Sequence, residues 1–236
     1  MVVPLITFDI DWAPDFILEK VSQLLDKEKI KSTWFVTHDS NFIQKLKNKK
    51  NYELGIHPNF FDNSSQGKDP KSILKNLKEI IPEAVSIRTH SLYQSSPILN
   101  LFQDFGIKYD SSILLYKTKN IIPHYNPASK IFRIPYFWED DLEMYNPSPN
   151  WSFNQTNKIS GLKIYNFHPF HVVLNSENLS NYNEIKSRKN LKDITEDDFK
   201  NILNYGQGTL TFLEEMISYL KNKKTITMKN IHSIFY

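Results

Sequence analysis

The sequence predicts one α/β domain organised as a barrel of parallel strands. Three observations carry that expectation. Short apolar runs alternate with amphipathic stretches along the chain, the pattern of repeated βα units. The 236 residues contain no linker-like boundary, internal repeat or low-complexity tract, which suits a single domain over 1–236. The unusual polar residues fall just after the apolar runs, where a parallel barrel opens its mouth.

Taken in order, residues 2–8 read as a buried strand. An amphipathic helix follows over 15–26, with Phe16, Ile17, Val21, Leu24 and Leu25 on its apolar side. Residues 32–37 form the second strand, and Asp39 or Ser40 is placed to cap a helix carrying Phe42, Ile43 and Leu46. A third strand over 52–56 stops at His57 and Pro58. After a polar loop, Asp69 and Pro70 open a helix through Ile73, Leu74, Leu77 and Ile80. Residues 84–87 give a fourth strand, and Ser95 or Ser96 caps a helix with Pro97 at its first position. Strands at 107–109 and 131–137 follow, separated by a long irregular stretch. A strand at 162–167 precedes a polar segment, 175–192, that reads as a loop of the kind that covers a site. Helices near 196–204 and 209–221 and a short strand at 225–228 complete the chain.

The composition excludes several chemistries. Without cysteine there are no disulfides, iron–sulfur clusters, thiolate zinc sites or cysteine nucleophiles. Any metal must be held by histidine, carboxylate or other oxygen ligands. Lys+Arg 29 against Asp+Glu 26 leaves a net charge of +3, which lacks the footprint of a nucleic-acid binder. Only Arg88, Arg133 and Arg188 are arginine. No run approaches the roughly 18 apolar residues of a membrane span. The opening MVVPLITFDIDW has no basic n-region, so no signal peptide is expected and the cytoplasm is the expected address.

Reactive residues gather at the predicted strand ends: Asp9 and Asp11, His57, Arg88 and His90, then Glu139, Asp140 and Asp141, and finally His168 and His171. Asp9 and Asp11 share a face by strand alternation, and their repulsion needs a cation or an arginine beside them. One of them could instead cap the helix near Pro14 and Asp15. A metal between Asp11, His57 and His90 relieves the repulsion and leaves positions open for water and substrate. The bland alternative makes each histidine a hydrogen-bonded structural residue, and for His38 that reading is preferred; His124 and His232 are placed outside the site.

The motifs ITFDID, STWFVT, LGIHPN, IRTHS, FRIPYFWEDD and NFHPFH, in that order, resemble the polysaccharide deacetylase family, the NodB-homology domain of carbohydrate esterase family 4. GTLTFLEEMISYL is similar to that family's last helix, so the resemblance runs from about residue 4 to the end. The branch it looks most like accompanies bacterial surface-polysaccharide (O-antigen) gene clusters. The resemblance implies a distorted (β/α)7 barrel, one divalent metal, most often Zn2+, and hydrolytic removal of acetyl groups from N-acetylated sugars. It implies Asp9 as catalytic base, Asp11 as metal ligand, Arg88 as the arginine that holds the base, and His168 as general acid, with His171 competing for that role. The family often has two histidines four residues apart, but here His57 is followed by Pro58, Asn59, Phe60 and Phe61. His90 is the natural replacement as second histidine ligand.

One of Glu139, Asp140 and Asp141 is expected to orient a catalytic group. A sugar also needs an aromatic face, for which Trp138, Phe60, Phe61 and Trp12 are loop candidates unless they belong to the core. Trp138, Asp140, Phe60 and His171 are therefore the expected substrate contacts. Competing readings are a glycoside hydrolase pairing Asp9 with Glu139, a non-catalytic carbohydrate-binding descendant, and a metal-dependent amidohydrolase acting on a non-sugar amide. The substrate could be a polymer, a lipid-linked oligosaccharide or a nucleotide sugar, and the loops at 109–130 and 175–192 are expected to choose.

Overall fold

The apolar runs at 5–9, 32–36, 52–56 and 164–167 become strands buried along their whole length, as parallel strands covered on both faces must be. A computed structural model describes residues 3–199 and 201–235; Val2 and Lys200, which the sequence reading places in a strand and a helix, lie outside the described residues. The strands are β1 (Leu5–Asp9), β2 (Ser32–Val36), β3 (Tyr52–Ile56), β4 (Ser86–Ile87), β5 (Tyr109–Asp110), β6 (His124–Asn126), β7 (Ile131–Arg133), β8 (Trp138–Glu139) and β9 (Ile164–Phe167). They form one sheet in the order β6-β7-β5-β4-β3-β2-β1-β9-β8, parallel throughout except for the β6–β7 hairpin.

The sheet curls into the expected distorted barrel because residues 131–139 serve both of its ends. On one side the run bonds to the β5 neighbourhood, through Phe132 N–H to Lys108 O, Ile134 N–H to Asp110 O and Tyr136 N–H to Ile113 O. On its other side it pairs with β6 as far as Arg133 and with β9 from Phe137 onward, where Phe137 N–H donates to Ile164 O. Pro135 stands where the partner changes, and it has no N–H to leave unsatisfied. The ring therefore has seven positions: β1 to β5, the 131–139 run and β9.

The helices pack around this ring. They are α1 (Asp15–Lys27), α2 (Asn41–Leu46), α3 (Pro70–Ile80), α4 (Ser96–Asp104), α5 (Asp140–Met144), α6 (Phe153–Thr156), α7 (Pro169–Leu174), α8 (Ser180–Arg188), α9 (Thr209–Leu220) and α10 (His232–Phe235). α1 buries Ile17, Leu18, Val21 and Leu25 on one face, the spacing that makes it a helix on a sheet. Ser40 caps α2 by accepting from Ile43 N–H, and Asp69 caps α3 by accepting from Lys71 and Ser72 N–H. Ser95 caps α4, which makes Pro97 its second residue rather than its first.

Four expectations need correction. The irregular stretch before β7 contains β6 and its hairpin. The segment 175–192 is not a long loop: it holds α8, whose sequence SNYNEIKSR buries only Ile185 and so gives almost no apolar periodicity to read. Helix 196–204 is reduced to a 3-10 turn at Glu196–Phe199. The strand at 225–228 is absent, because this segment seals the barrel floor with single hydrogen bonds instead of a ladder. Thr225 Oγ1 accepts from Lys31 N–H, Met228 N–H donates to Thr33 Oγ1, and Lys229 N–H donates to the buried Glu53 carboxylate at 2.8 Å.

Candidate active site

The barrel mouth gathers the strand-end residues into two adjoining groups. The first is built on Arg88, which is fully buried with its guanidinium between the rings of Phe35 and Tyr136, 4.6 and 4.2 Å from their centroids. Its Nε and Nη2 donate to Ser111 O and Oγ, and its Nη1 donates to Asp9 Oδ1 at 3.1 Å, to Thr7 Oγ1 and to Asn166 Oδ1. The guanidinium thus gives Asp9 one bond, not the two of a fork. The other Asp9 oxygen accepts from Asn166 Nδ2 at 2.8 Å. Asn166 is the residue that sequence reasoning missed; its only signal is a lone amide in the apolar strand β9.

The second group lies past the end of β1. Asp11 is aimed by a left-handed turn, with φ 37° at Asp11 and 58° at Trp12, and not by strand alternation with Asp9. A matching pair, Ser91 (φ 51°) and Leu92 (φ 55°), follows His90. Four non-glycine residues in this region of backbone space concentrate strain beside the site, as functional sites commonly do. Asp11 Oδ1 lies 3.2 Å from His57 Nε2 and 3.3 Å from His90 Nδ1, and those two nitrogens are 3.3 Å apart. Asp11 Oδ1 is buried without a hydrogen-bond partner. Burial alone would raise the Asp11 pKa, but the adjacent His57, His90 and His168 imidazoles carry it well below the ordinary carboxylate value. Neither aspartate caps α1, whose N-cap is Pro14 with no side-chain bond.

These three atoms could hold a metal. They are one oxygen and two imidazole nitrogens, and ligands about 2.0–2.1 Å from a tetrahedral ion stand about 3.3–3.4 Å apart. The near-equal spacing and the orphaned oxygen both fit a shared divalent ion.

The three consecutive acidic residues take three different tasks. Asp140, at the start of α5, is fully buried and grips His168 twice, accepting from its backbone N–H at 2.8 Å and from its ring Nδ1 at 2.7 Å. A carboxylate can only accept, so the His168 proton sits on Nδ1 and Nε2 points at Asp11 Oδ2, 3.7 Å away. Burial would lower the His168 pKa, yet Asp141, Asp140 and Asp11 together hold it well above the ordinary imidazole value. Asp141 Oδ1 lies 2.8 Å from His171 Nε2, and the other nitrogen of that ring meets Ser176 Oγ at 3.0 Å. Glu139 shares the Asn166 amide with Asp9 at 3.3 Å. Burial, helped by the nearby carboxylates of Asp141, Asp9 and Asp140 against the opposing His168, pushes Glu139 up to about 7.

The expected substrate contacts divide. Trp138 is 0% exposed, stacked on Phe212 at 4.3 Å with its Nε1 donating to Glu143, so it belongs to the core and offers no face to a sugar. Asp140 is likewise enclosed and turned to His168. Phe60 is half-buried between Tyr93 and Phe102; the more exposed aromatics there are Phe61 and Tyr93, edge to face at 5.4 Å. His171 does line the cavity at the mouth, about 250 Å³, with Asp11, His90, Asp141 and His168. Tyr182, Asn183 and Lys186 of α8 line it too. Trp12 is half-buried, its ring edge-on to His90. His38 bonds to Thr37 Oγ1. A larger groove of about 910 Å³ between α1 and α9 contains none of these groups.

With this geometry in place, the chain can be compared with known proteins. A family profile described as WbmS-like polysaccharide deacetylase matches residues 6–186. The chain is similar to the crystal structure of a candidate polysaccharide deacetylase involved in O-antigen biosynthesis from Bordetella bronchiseptica. The two share 32% identity, with 92% of this chain and 90% of that chain covered and a TM-score of 0.82. A candidate polysaccharide deacetylase from Mycobacterium smegmatis shares the fold at 16% identity, covering 98% of this chain and 89% of that one, with a TM-score of 0.61. The fold also recurs in a 4-alpha-glucanotransferase from Thermococcus litoralis at 9% identity, covering 98% of this chain and 38% of that one, with a TM-score of 0.57. Among curated proteins none matches.

Proposed function

The chain belongs to the WbmS-like polysaccharide deacetylase family, and from that premise we propose that it is a metal-dependent hydrolase that removes N-acetyl groups from a sugar. The observation that carries the reading is the Asp11–His57–His90 triangle lying between an arginine-held aspartate and an aspartate-held histidine. The Bordetella relative's association with O-antigen biosynthesis supports a role in bacterial surface-polysaccharide assembly, and a cytoplasmic setting is part of the proposal.

Asp11, His57 and His90 are the residues that would hold a divalent ion, and two imidazoles with one carboxylate suit Zn2+. When bound, such an ion polarises an amide carbonyl and acidifies water. Asp9 takes the proton of the attacking water. Arg88 and Asn166 fix its two oxygens and keep the carboxylate from rotating away. His168 holds one proton on Nδ1 against Asp140 and carries a second on Nε2 in its imidazolium form, which the surrounding carboxylates favour. That Nε2 proton goes to the departing amine. His171 meets Ser176 Oγ with one nitrogen and faces Asp141 with the other, which supports a place in the cavity wall and leaves the acid's role to His168.

The test is acetate release from a panel of N-acetylated sugars, free, phosphorylated and lipid-linked, with and without a chelator. Chelator-sensitive release from at least one is expected. Failure of every sugar to yield acetate with the metal-loaded protein would reject the reading.

A further inference from the structure

The cavity at the barrel mouth has a wall that the catalytic groups do not use. Tyr182, Asn183 and Lys186, at positions i, i+1 and i+4 of α8, all line it, while Ile185 packs into the core and fixes the helix in place. The cations on and just after this helix are not equivalent. Arg188 pairs with Glu184 one turn back, and Lys189 pairs with Asp198 at 2.8 Å. Lys186 has no acidic partner among the described residues, and its Nζ stands 5.6 Å from the centre of the Tyr182 ring. Among the described residues it is the one lysine or arginine lining this cavity, which Asp11, Asp141 and three histidines also line.

Size narrows the occupant. About 250 Å³ falls below the roughly 300–1,000 Å³ of sites for drug-sized ligands, so the enclosed space takes about one sugar ring. A neutral acetamido sugar offers a lysine only uncharged oxygens, those of its hydroxyls, ring and acetamide carbonyl, whereas a compact ammonium is suited to a phosphate or a carboxylate.

Resting on the deacetylase reading, we infer that Lys186, with Tyr182 and Asn183 beside it, is a subsite for an anionic group carried by a single N-acetylated sugar. Phosphate and carboxylate present the same chemistry to this wall, and the experiment separates them.

Binding is measured by calorimetry with the metal-loaded protein, using an N-acetylhexosamine, its 1-phosphate and the corresponding N-acetylhexosaminuronic acid. The wild-type protein is expected to prefer one or both charged ligands over the neutral sugar by roughly tenfold. Lys186→Ala is expected to erase that preference and Lys186→Arg to retain most of it, with circular dichroism confirming that both variants fold. Equal binding of all three ligands by the wild-type protein, or a preference that survives Lys186→Ala, would overturn the inference. Acetate release is read in the same samples. A Lys186-dependent charge preference without acetate from any ligand would support the subsite and count against the deacetylase reading, which the full sugar panel then decides.

Discussion

Asp9 and Asp11 differ by two positions in the chain and stand in opposite states. Both oxygens of Asp9 are occupied, by Arg88 and Asn166, and the groups that hold it are themselves held by Thr7 and Ser111. Asp11 has a buried oxygen with no hydrogen-bond partner, faced by two imidazole nitrogens at near-equal distances. The first is a finished arrangement that holds a carboxylate in one orientation. The second is the arrangement that, on the proposed reading, a divalent ion would complete. A like-charged pair is tolerable here because each member has its own source of positive charge.

That contrast can be broken from either side. The largest effect is expected from Asp9→Asn, which keeps the shape but removes the proton acceptor. Acetate release should fall by about 10²–10⁴-fold while metal content stays the same, and undiminished turnover would remove Asp9 from the reaction. His57→Ala or His90→Ala should instead strip the metal, read as well under one ion per chain by elemental analysis; full occupancy in either variant would sink the triangle as a ligand set. Arg88→Met leaves the Asp9 charge buried without its partner, and should lower unfolding free energy by about 3–5 kcal/mol in denaturant titrations. A variant as stable as the wild type would show that Asn166 alone suffices.

The mildest change is expected from Asp140→Asn. Its carboxylate is among the charges that raise the His168 pKa, so the imidazolium persists above the ordinary value of 6.5 and is lost only as pH rises through the raised one. Removing that charge should therefore draw the alkaline limb of the kcat/KM profile toward lower pH. An unmoved limb would mean that His168 is not the group titrating there.

Legibility from sequence follows the range of the interactions. Ser40 and Asp69 could be read as caps because a cap acts on residues two or three positions away. His57 and His90 could be read as neighbours because adjacent parallel strands end at one level, and β3 pairs with β4. The tasks of Glu139, Asp140 and Asp141 could not be separated, since they lie at the corner between β8 and α5, where successive side chains leave in different directions. Trp138 looked like a loop aromatic because it follows the apolar run, but α9 brings Phe212 across it from 74 residues away. α8 gave no pattern because one buried isoleucine is too little to define a face.

The run 131–139 also bears on how the molecule behaves among its own copies. An open sheet of this width would end in two rows of unpaired amides and carbonyls, each a template for a strand of another molecule. Here one stretch of chain is shared by β5 and β9, and β6 covers the flank of its first half until Pro135 ends the exposed donors. Substituting Pro135 would restore an N–H at the hand-over between two partners, and concentrated solutions are where sticking through that amide would first be seen, as a rise in light scattering.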